Sequence, residues 1–170
     1  MKQRSRYITL ISLLLITNSI PTSPTSSAQA PGLPNSKLTP GATNPAVTQS
    51  TIGSTICVIG YTKTIRPPVS YTNKLKYDQL HSGYNVNGDL NMRDYEEDHL
   101  IPLEVGGHPS SPLNLFPQYY KASAGARYKD KLENKMHLLV CSGRITLKAA
   151  QAVFRGDWTA GYRKYVGALN

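Results

Sequence analysis

The sequence predicts a small α+β domain, and three observations support that fold class. Residues 54–61 (STICVIGY) are rich in β-branched side chains, which favour a strand. Residues 95–103 become apolar after His99, as expected of a hairpin strand with one buried face. Residues 125–142 carry leucine, methionine and valine at helical spacing, and Gly143 stands at the expected C-terminal stop.

Shorter helices are expected on either side of these elements. Ser70 or Thr72 is placed to cap a helix that runs to Leu80. After the long helix, Thr146 and Asp157 are placed to cap two more helices, whose apolar residues we expect to cover the core. The predicted architecture is therefore an N-terminal strand and helix, a hairpin, a long helix and C-terminal helices.

The chain divides into three parts. Residues 1–30 have a basic start, an apolar run at 7–16 and small residues before Ala30, which together predict a secretory signal peptide. A retained N-terminal anchor is the alternative, although the run is too short to span a bilayer comfortably and we expect no stable membrane insertion. Residues 31–50 are Pro/Thr/Ser-rich and predict a flexible linker. Residues 51–170 form the predicted domain, secreted or periplasmic.

The charge balance suits a polyanionic partner. Loss of residues 1–30 removes three positive charges from the formal +9 and leaves +6. Nucleic acid is the obvious partner, and solubility or surface adhesion explains the same charge. Basic residues and tyrosines, suited to phosphate contacts and base stacking, cluster in and before the long helix: Tyr119, Tyr120, Lys121, Arg127, Lys129, Lys131 and Lys135.

The two cysteines, Cys57 and Cys141, predict a disulfide. Their number is even, the predicted compartment is oxidising, and neither sits in a CxxC or CxxH metal knuckle. Two unpaired thiols in a chain that stays in the cytoplasm are the alternative.

The most informative stretch is residues 95–118, YEEDHLIPLEVGGHPSSPLNLFPQ. Its acidic cluster at 96–98 precedes His99, and such carboxylates repel one another unless a cation or a basic group lies nearby. A glycine pair at 106–107 and Asn114 follow. An ordinary hairpin with a surface ion pair explains each residue alone. Asp, His and Asn together are the parts of a small metal-assisted hydrolytic site.

This stretch resembles the core of the HNH, or His-Me-finger (ββα-metal), nucleases, through Asp98-His99, Ile101-Pro102-Leu103, Gly106-Gly107 and Asn114-Leu115. The resemblance implies a β-hairpin and a helix that clamp a divalent cation. It makes His99 the general base and Asp98 a metal ligand, and it gives Asn114 a metal-binding or orienting role. The closing histidine of the HNH triplet has no counterpart at the usual distance. Residues 147–158 resemble the tail of exported bacterial proteins with this core.

One polar residue of the long helix should complete the metal site. Glu133 lies at the edge of the apolar face and is the first choice, and Asp130 is the second. An ordinary salt bridge between Lys129 and Glu133 is the alternative. His137 is expected to be a surface histidine.

These observations predict an exported, metal-dependent endonuclease acting on DNA, RNA or both, monomeric and with no inhibitor protein identifiable. Asp98 and Glu133 would hold the metal, and His99 and Asn114 would be catalytic. Aspartate-led oxygen ligands favour Mg²⁺, with Mn²⁺ or Zn²⁺ as alternatives. A non-catalytic polyanion-binding module on a degenerate nuclease scaffold is the main rival. A cell-wall or peptide hydrolase is a second rival, but the chain has no HExxH motif.

Overall fold

A β-hairpin followed by a long helix forms the middle of the fold in the computed structural model, which describes residues 32–122 and 125–169. Strands β1 (Tyr95–His99) and β2 (Leu115–Tyr119) pair antiparallel in a two-stranded sheet. Helix α3 (Ala126–Cys141) comes next in the chain. This mixed arrangement agrees with the predicted α+β class and with the predicted long helix.

The C-terminal helices pack on α3 as expected. Helix α4 (Leu147–Arg155) begins after Thr146, whose side chain accepts a hydrogen bond from a backbone N–H of the first turn. Helix α5 (Trp158–Tyr165) begins after Asp157, which caps it in the same way. The main core of the domain joins α3 to these two helices through fully buried side chains: Leu132, Met136, Val140, Ala150, Phe154 and Trp158.

The predicted N-terminal strand is wrong. Residues 54–61 form turns between a 3-10 helix (Ile52–Ser54) and helix α1 (Tyr61–Ile65). Gly60 adopts a left-handed conformation with φ of 84°, which turns the chain into α1. Ile59 is fully exposed to solvent. Because a strand gains its stability from pairing and from one packed face, β-branched residues without a partner strand do not form one.

Helix α2 (Val69–Gln79) is close to the helix predicted in this region, but it begins earlier. Pro68 occupies the N-cap position, and no side chain caps the helix, so neither Ser70 nor Thr72 has the predicted capping role. An irregular helical turn, Leu80–Tyr84, continues from α2 towards β1.

The predicted linker packs against the domain over residues 32–50, which corrects the expected boundary at residue 51. Val47 is 4 % exposed and belongs to the main core, and Thr39 is fully buried. Thr43 forms an isolated antiparallel bridge with Gly107. A few buried side chains and backbone hydrogen bonds therefore order a segment whose overall composition resembles that of a linker.

The predicted disulfide is confirmed between Cys57 and Cys141. It joins the turns after the first 3-10 helix, rather than a strand, to the last residue of α3. The sequence separation is 84 and the Cα atoms lie 5.6 Å apart. A loop of this length gives roughly 4 kcal/mol of stabilisation in the chain-entropy model.

The predicted signal peptide, residues 1–30, lies outside the described residues. Within the part of the chain that the structure describes, no helix has the length and apolar character needed to cross a bilayer.

Substitution of Gly107 tests the packing beneath the hairpin loop. A Cβ at Gly107 would lie 1.7 Å from the carbonyl oxygen of Ile101 and 2.8 Å from Nδ2 of Asn114. Gly107→Ala should therefore lower the free energy of unfolding by about 3 kcal/mol or more, measured in urea. Gly53→Ala is the control, because nothing lies within 4 Å of its added Cβ. Equal stability of the two variants would contradict this packing.

Candidate active site

His99, the last residue of β1, has its imidazole held in one orientation. The residue is 6 % exposed, and its Nε2 lies 2.8 Å from the backbone carbonyl oxygen of Pro109. A carbonyl oxygen only accepts hydrogen bonds, so Nε2 carries the proton and donates it. In the neutral ring the lone pair then lies on Nδ1, and that nitrogen is the one able to accept a proton.

The surroundings of His99 favour the neutral ring. Burial lowers the pKa of His99 from its usual 6.5, against the smaller opposing effects of the Pro109 carbonyl and the Asp98 charge. Oδ1 of Asp98 accepts the backbone N–H of His99 at 2.7 Å, which fixes the carboxylate beside the strand end. His99 is therefore a base at neutral pH.

Asn114 joins the two ends of the loop between the strands. Its Oδ1 accepts the backbone N–H of Ile101 at 2.9 Å, and its Nδ2 donates to the carbonyl oxygens of Ile101 and His108 at 3.0 Å each. Asn114 is fully buried. Because His108 directly precedes Pro109, these bonds orient the carbonyl that holds His99. This geometry corresponds to the loop-orienting alternative for Asn114.

The centre of the site is the ammonium group of Lys129 in helix α3. Its side chain has no exposed surface. Nζ donates to Oδ2 of Asp98 at 2.8 Å, to Oε1 of Glu133 at 2.6 Å and to the carbonyl oxygen of His99 at 2.6 Å. An ammonium group has three protons, so all of its donors are used. Asp98 and Glu133, the predicted metal ligands, therefore converge on one position, and Lys129 occupies it.

Lys129 stays charged in this position. Burial acts to lower its pKa, but the charges of Asp98 and Glu133 outweigh that effect, and the net pKa is raised. Burial raises the pKa of Glu133, and the ammonium opposes that rise. The acidic cluster predicted to need a cation or a basic partner thus has one, and the anticipated ion pair between Lys129 and Glu133 is buried rather than exposed.

Two further carboxylates lie in the electric field of Asp98. Burial raises the pKa of Glu96 and of Asp130, and the negative charge of Asp98 adds to both shifts. Asp130, the second choice for a metal ligand, lies outside the hydrogen-bonded group around Lys129. Both carboxyl groups therefore hold their protons more tightly because they lie beside Asp98.

The predicted metal ligands fit a hard cation by their chemistry but not by their number. Two carboxylate oxygens and a backbone carbonyl are oxygen donors of the kind that Mg²⁺ prefers. Within residues 32–122 and 125–169, however, Asp98 and Glu133 belong to no group of three or more His, Cys, Asp or Glu residues whose ligand atoms all lie within 4.8 Å of one another. His137 is not a simple surface residue: it is half-buried, and its Nε2 contacts the carbonyl oxygen of Ile56 at 2.8 Å.

Sequence reasoning placed Lys129 on a basic surface, and this was wrong. Lys129 precedes Leu132 by three residues and Met136 by seven, so it belongs to the apolar stripe of α3. A lysine at a core-facing position, four residues before a glutamate, was the available signal for a buried ion pair. The other basic residues of that helix are exposed: Arg127, Lys131 and Lys135.

Glu97 is a buried carboxyl group that the sequence did not single out. Both of its carboxyl oxygens are buried, and neither has a hydrogen-bond partner among the described residues. Burial raises the pKa of Glu97 to about 9, against the opposing charge of Lys76. Glu97 is therefore protonated at neutral pH and adds no charge to the site.

Comparison with known proteins gives no relative. No family model matches the chain, and neither a curated protein nor a solved structure matches it. The resemblance to the His-Me-finger nucleases therefore rests on the motif residues of the hairpin.

Replacement of Glu97 by glutamine should alter how stability depends on pH. Because the pKa of Glu97 is higher in the folded chain than its usual 4.5, its contribution to stability is full below pH 4.5 and is lost as the pH rises to about 9. Glu97→Gln should gain stability over the parent across this window, by up to about 1.4 kcal/mol per pH unit.

Urea unfolding at a series of pH values measures this difference. Asp78→Asn is the control, since it removes a carboxylate that is half-exposed and paired with Lys74. A constant difference between Glu97→Gln and the parent across the window would show that Glu97 is not a buried neutral acid.

Proposed function

We propose that this chain is a metal-dependent endonuclease that hydrolyses phosphodiester bonds of DNA, RNA or both. The observation that carries the proposal is the state of His99. Its Nε2–H donates to the Pro109 carbonyl, its ring is neutral, and its Nδ1 is left as the proton acceptor. A neutral, oriented imidazole is the group that hydrolysis at neutral pH needs to activate water.

In this proposal Nδ1 of His99 takes a proton from the attacking water, whose oxygen then bonds to phosphorus while the bond to the leaving oxygen breaks. Asn114 keeps His99 oriented, because it fixes the loop that supplies the Pro109 carbonyl. Asp98 and Glu133 would hold the divalent cation, Mg²⁺ by preference. When bound, that cation stabilises negative charge on the phosphate and the leaving oxygen.

Lys129 determines when a metal can bind. A divalent cation held by the same oxygens of Asp98 and Glu133 would coincide with the ammonium, so the two occupants exclude each other. The mutual repulsion of Asp98, Glu96 and Asp130 favours a more highly charged occupant, whereas the three hydrogen bonds of Lys129 favour the ammonium. We propose that Asp98 and Glu133 would hold a metal once the Lys129 ammonium has left their oxygens.

The positive charge of the exposed residues on α3 supports nucleic acid as the substrate class. The exposed basic residues of α3 can contact a phosphate backbone, namely Arg127, Lys131 and Lys135. Tyr120, which is 51 % exposed, lies in the field of Glu96 and Asp98. It offers an aromatic face for base stacking beside the proposed scissile phosphate.

A non-catalytic polyanion-binding module remains the second candidate, and Lys129 is the observation that favours it. If the ammonium cannot be displaced, the site has a permanent cation and no metal. Such a chain would bind nucleic acid through its exposed basic residues without cleaving it.

Replacement of His99 separates the two candidates. The full chain should cleave plasmid DNA or RNA with Mg²⁺ or Mn²⁺ and not with EDTA. His99→Ala should lower the rate by about 100-fold or more while binding to the same nucleic acid is kept. Because the pKa of His99 is lowered, the parent should keep its rate below pH 6.5.

His81→Ala is the matched control, because His81 is an exposed histidine in the irregular turn that follows α2. Nucleic-acid binding without cleavage by the folded parent, under any of these metals, would favour the binding module. Loss of the fold in His99→Ala would make His99 a structural residue.

Replacement of Lys129 by methionine tests the exchange between ammonium and metal. Lys129→Met keeps an unbranched apolar side chain, one atom shorter, but leaves Asp98 and Glu133 without a cation. The metal-free variant should lose about 3–5 kcal/mol of stability. Mg²⁺ or Mn²⁺ should then raise its Tm by more than it raises that of the parent, as measured by thermal unfolding.

Lys135→Met is the control, since Lys135 lies exposed on the same helix. A Tm of Lys129→Met that does not respond to metal would contradict a cation site at Asp98 and Glu133.

A further inference from the structure

The disulfide lies beside a histidine, at the opposite end of α3 from the candidate active site. The two sulfur atoms, of Cys57 and Cys141, and a ring nitrogen of His137 all lie within 4.8 Å of one another. We propose that, once the disulfide is reduced, these three residues bind a thiophilic divalent cation such as Zn²⁺. This site is independent of the proposed nuclease activity.

The spacing of the three residues suits one metal ion. Thiolate and imidazole ligands lie about 2.3 Å and about 2.0 Å from zinc, so ligand atoms of a tetrahedral site are roughly 3.5–4 Å apart. The ring nitrogen of His137 lies within 4.8 Å of both sulfurs. The sulfurs themselves are bonded in the disulfide, so reduction must first let them move apart to the spacing of metal ligands. His137 and Cys141 are one helical turn apart on α3, which fixes two of the three ligands on a rigid element.

His137 has the tautomer that a metal ligand needs. Its Nε2 lies 2.8 Å from the carbonyl oxygen of Ile56, so Nε2 carries the proton and Nδ1 holds the lone pair. Metal-binding histidines commonly donate their second N–H to a carbonyl or carboxylate in this way. The same hydrogen bond ties His137 to the residue that precedes Cys57, and so it holds the third ligand near the other two.

The surroundings allow an ion and one water molecule to enter. Cys141 is exposed, and Cys57 and His137 are half-buried. Two sulfurs and one nitrogen leave a fourth tetrahedral position for water. Soft thiolates select Zn²⁺ over Mg²⁺, whereas the oxygen donors of Asp98 and Glu133 have the opposite preference. The two sites are therefore chemically distinct.

The change of state is an ordinary thiol–disulfide exchange. A dithiol reductant supplies two electrons and two protons, its own sulfurs form a disulfide, and the Cys57–Cys141 bond becomes two thiols. Binding of the ion then releases both thiol protons. The disulfide and the metal would both link Cys57 to Cys141. Each therefore closes the same loop, whose two ends are 84 positions apart in the sequence. The reduced chain with metal thus keeps a cross-link that the reduced chain alone loses.

Cobalt titration of the full chain tests the proposal. The chain is reduced with a phosphine under anaerobic conditions, its fold is checked by circular dichroism, and Co²⁺ is added. We expect a sulfur-to-cobalt charge-transfer band that saturates at one equivalent and disappears when Zn²⁺ is added. The oxidised chain and the Cys57→Ser/Cys141→Ser double variant should not show the band.

Two variants test the role of the histidine. His137→Ala should weaken Co²⁺ binding by more than about tenfold, whereas His81→Ala, which changes an exposed histidine of another element, should bind as the parent does. A folded, reduced chain without the band would overturn the proposal, and so would equal affinity of His137→Ala and the parent. If reduction unfolds the chain, Zn²⁺ should restore the fold, and a chain that stays unfolded with Zn²⁺ would equally overturn it.

Discussion

A fully buried ammonium group is the constraint on which the candidate site depends. The charge of Lys129 can remain in the interior only because three oxygens surround it. Two of those oxygens belong to the end of β1 and the third belongs to α3. The two bonds to β1 therefore dock the helix on the hairpin, and together with the bond to Glu133 within α3 they bring Asp98 and Glu133 to one point. The hydrogen bonds that keep the buried ammonium charged are thus the same bonds that assemble the site.

The orientation of His99 has a separate support. Asn114 bonds to the backbone on both sides of the inter-strand loop, and Gly107 leaves it the space to do so. The carbonyl of Pro109 then fixes which nitrogen of His99 is basic. A general base needs this kind of indirect support, because the proton-accepting nitrogen must itself stay free of the groups that hold the ring. The cation position is thus held by α3 and the end of β1, whereas the base is held by the loop between the strands.

Local patterns predicted the parts of the fold that depend on local order. The periodicity of α3 and the caps Thr146 and Asp157 were sufficient to predict three helices, and the cysteine count was sufficient to predict the disulfide. The prediction of a strand at residues 54–61 was wrong, because a strand forms only with a partner strand, and composition does not show whether one is present. The order of residues 32–50 was missed for a related reason: a small number of long-range contacts decides it, whereas composition averages over the whole segment.

The structure brings the predicted site residues close together, but the sequence did not predict how they are arranged. Asp98, His99, Asn114 and Glu133 all lie in or around one hydrogen-bonded region. The sequence did not show that Lys129 occupies the cation position. A lysine among other basic residues of a helix suggests a solvated surface. Its burial depends on the approach of a strand 30 residues away in the chain. Only the three-dimensional contact distinguishes a counter-ion from a surface charge.

The most direct test is a crystal structure of the chain grown with Mn²⁺, with anomalous scattering used to locate the ion. We expect an anomalous peak beside Asp98 and Glu133, with the ammonium of Lys129 moved away from both carboxylates. Crystals of a chain that cleaves nucleic acid with Mn²⁺ but shows no peak at these residues would contradict a cation site at Asp98 and Glu133. A peak there with Lys129 still bonded to both carboxylates would contradict the mutual exclusion of ammonium and metal.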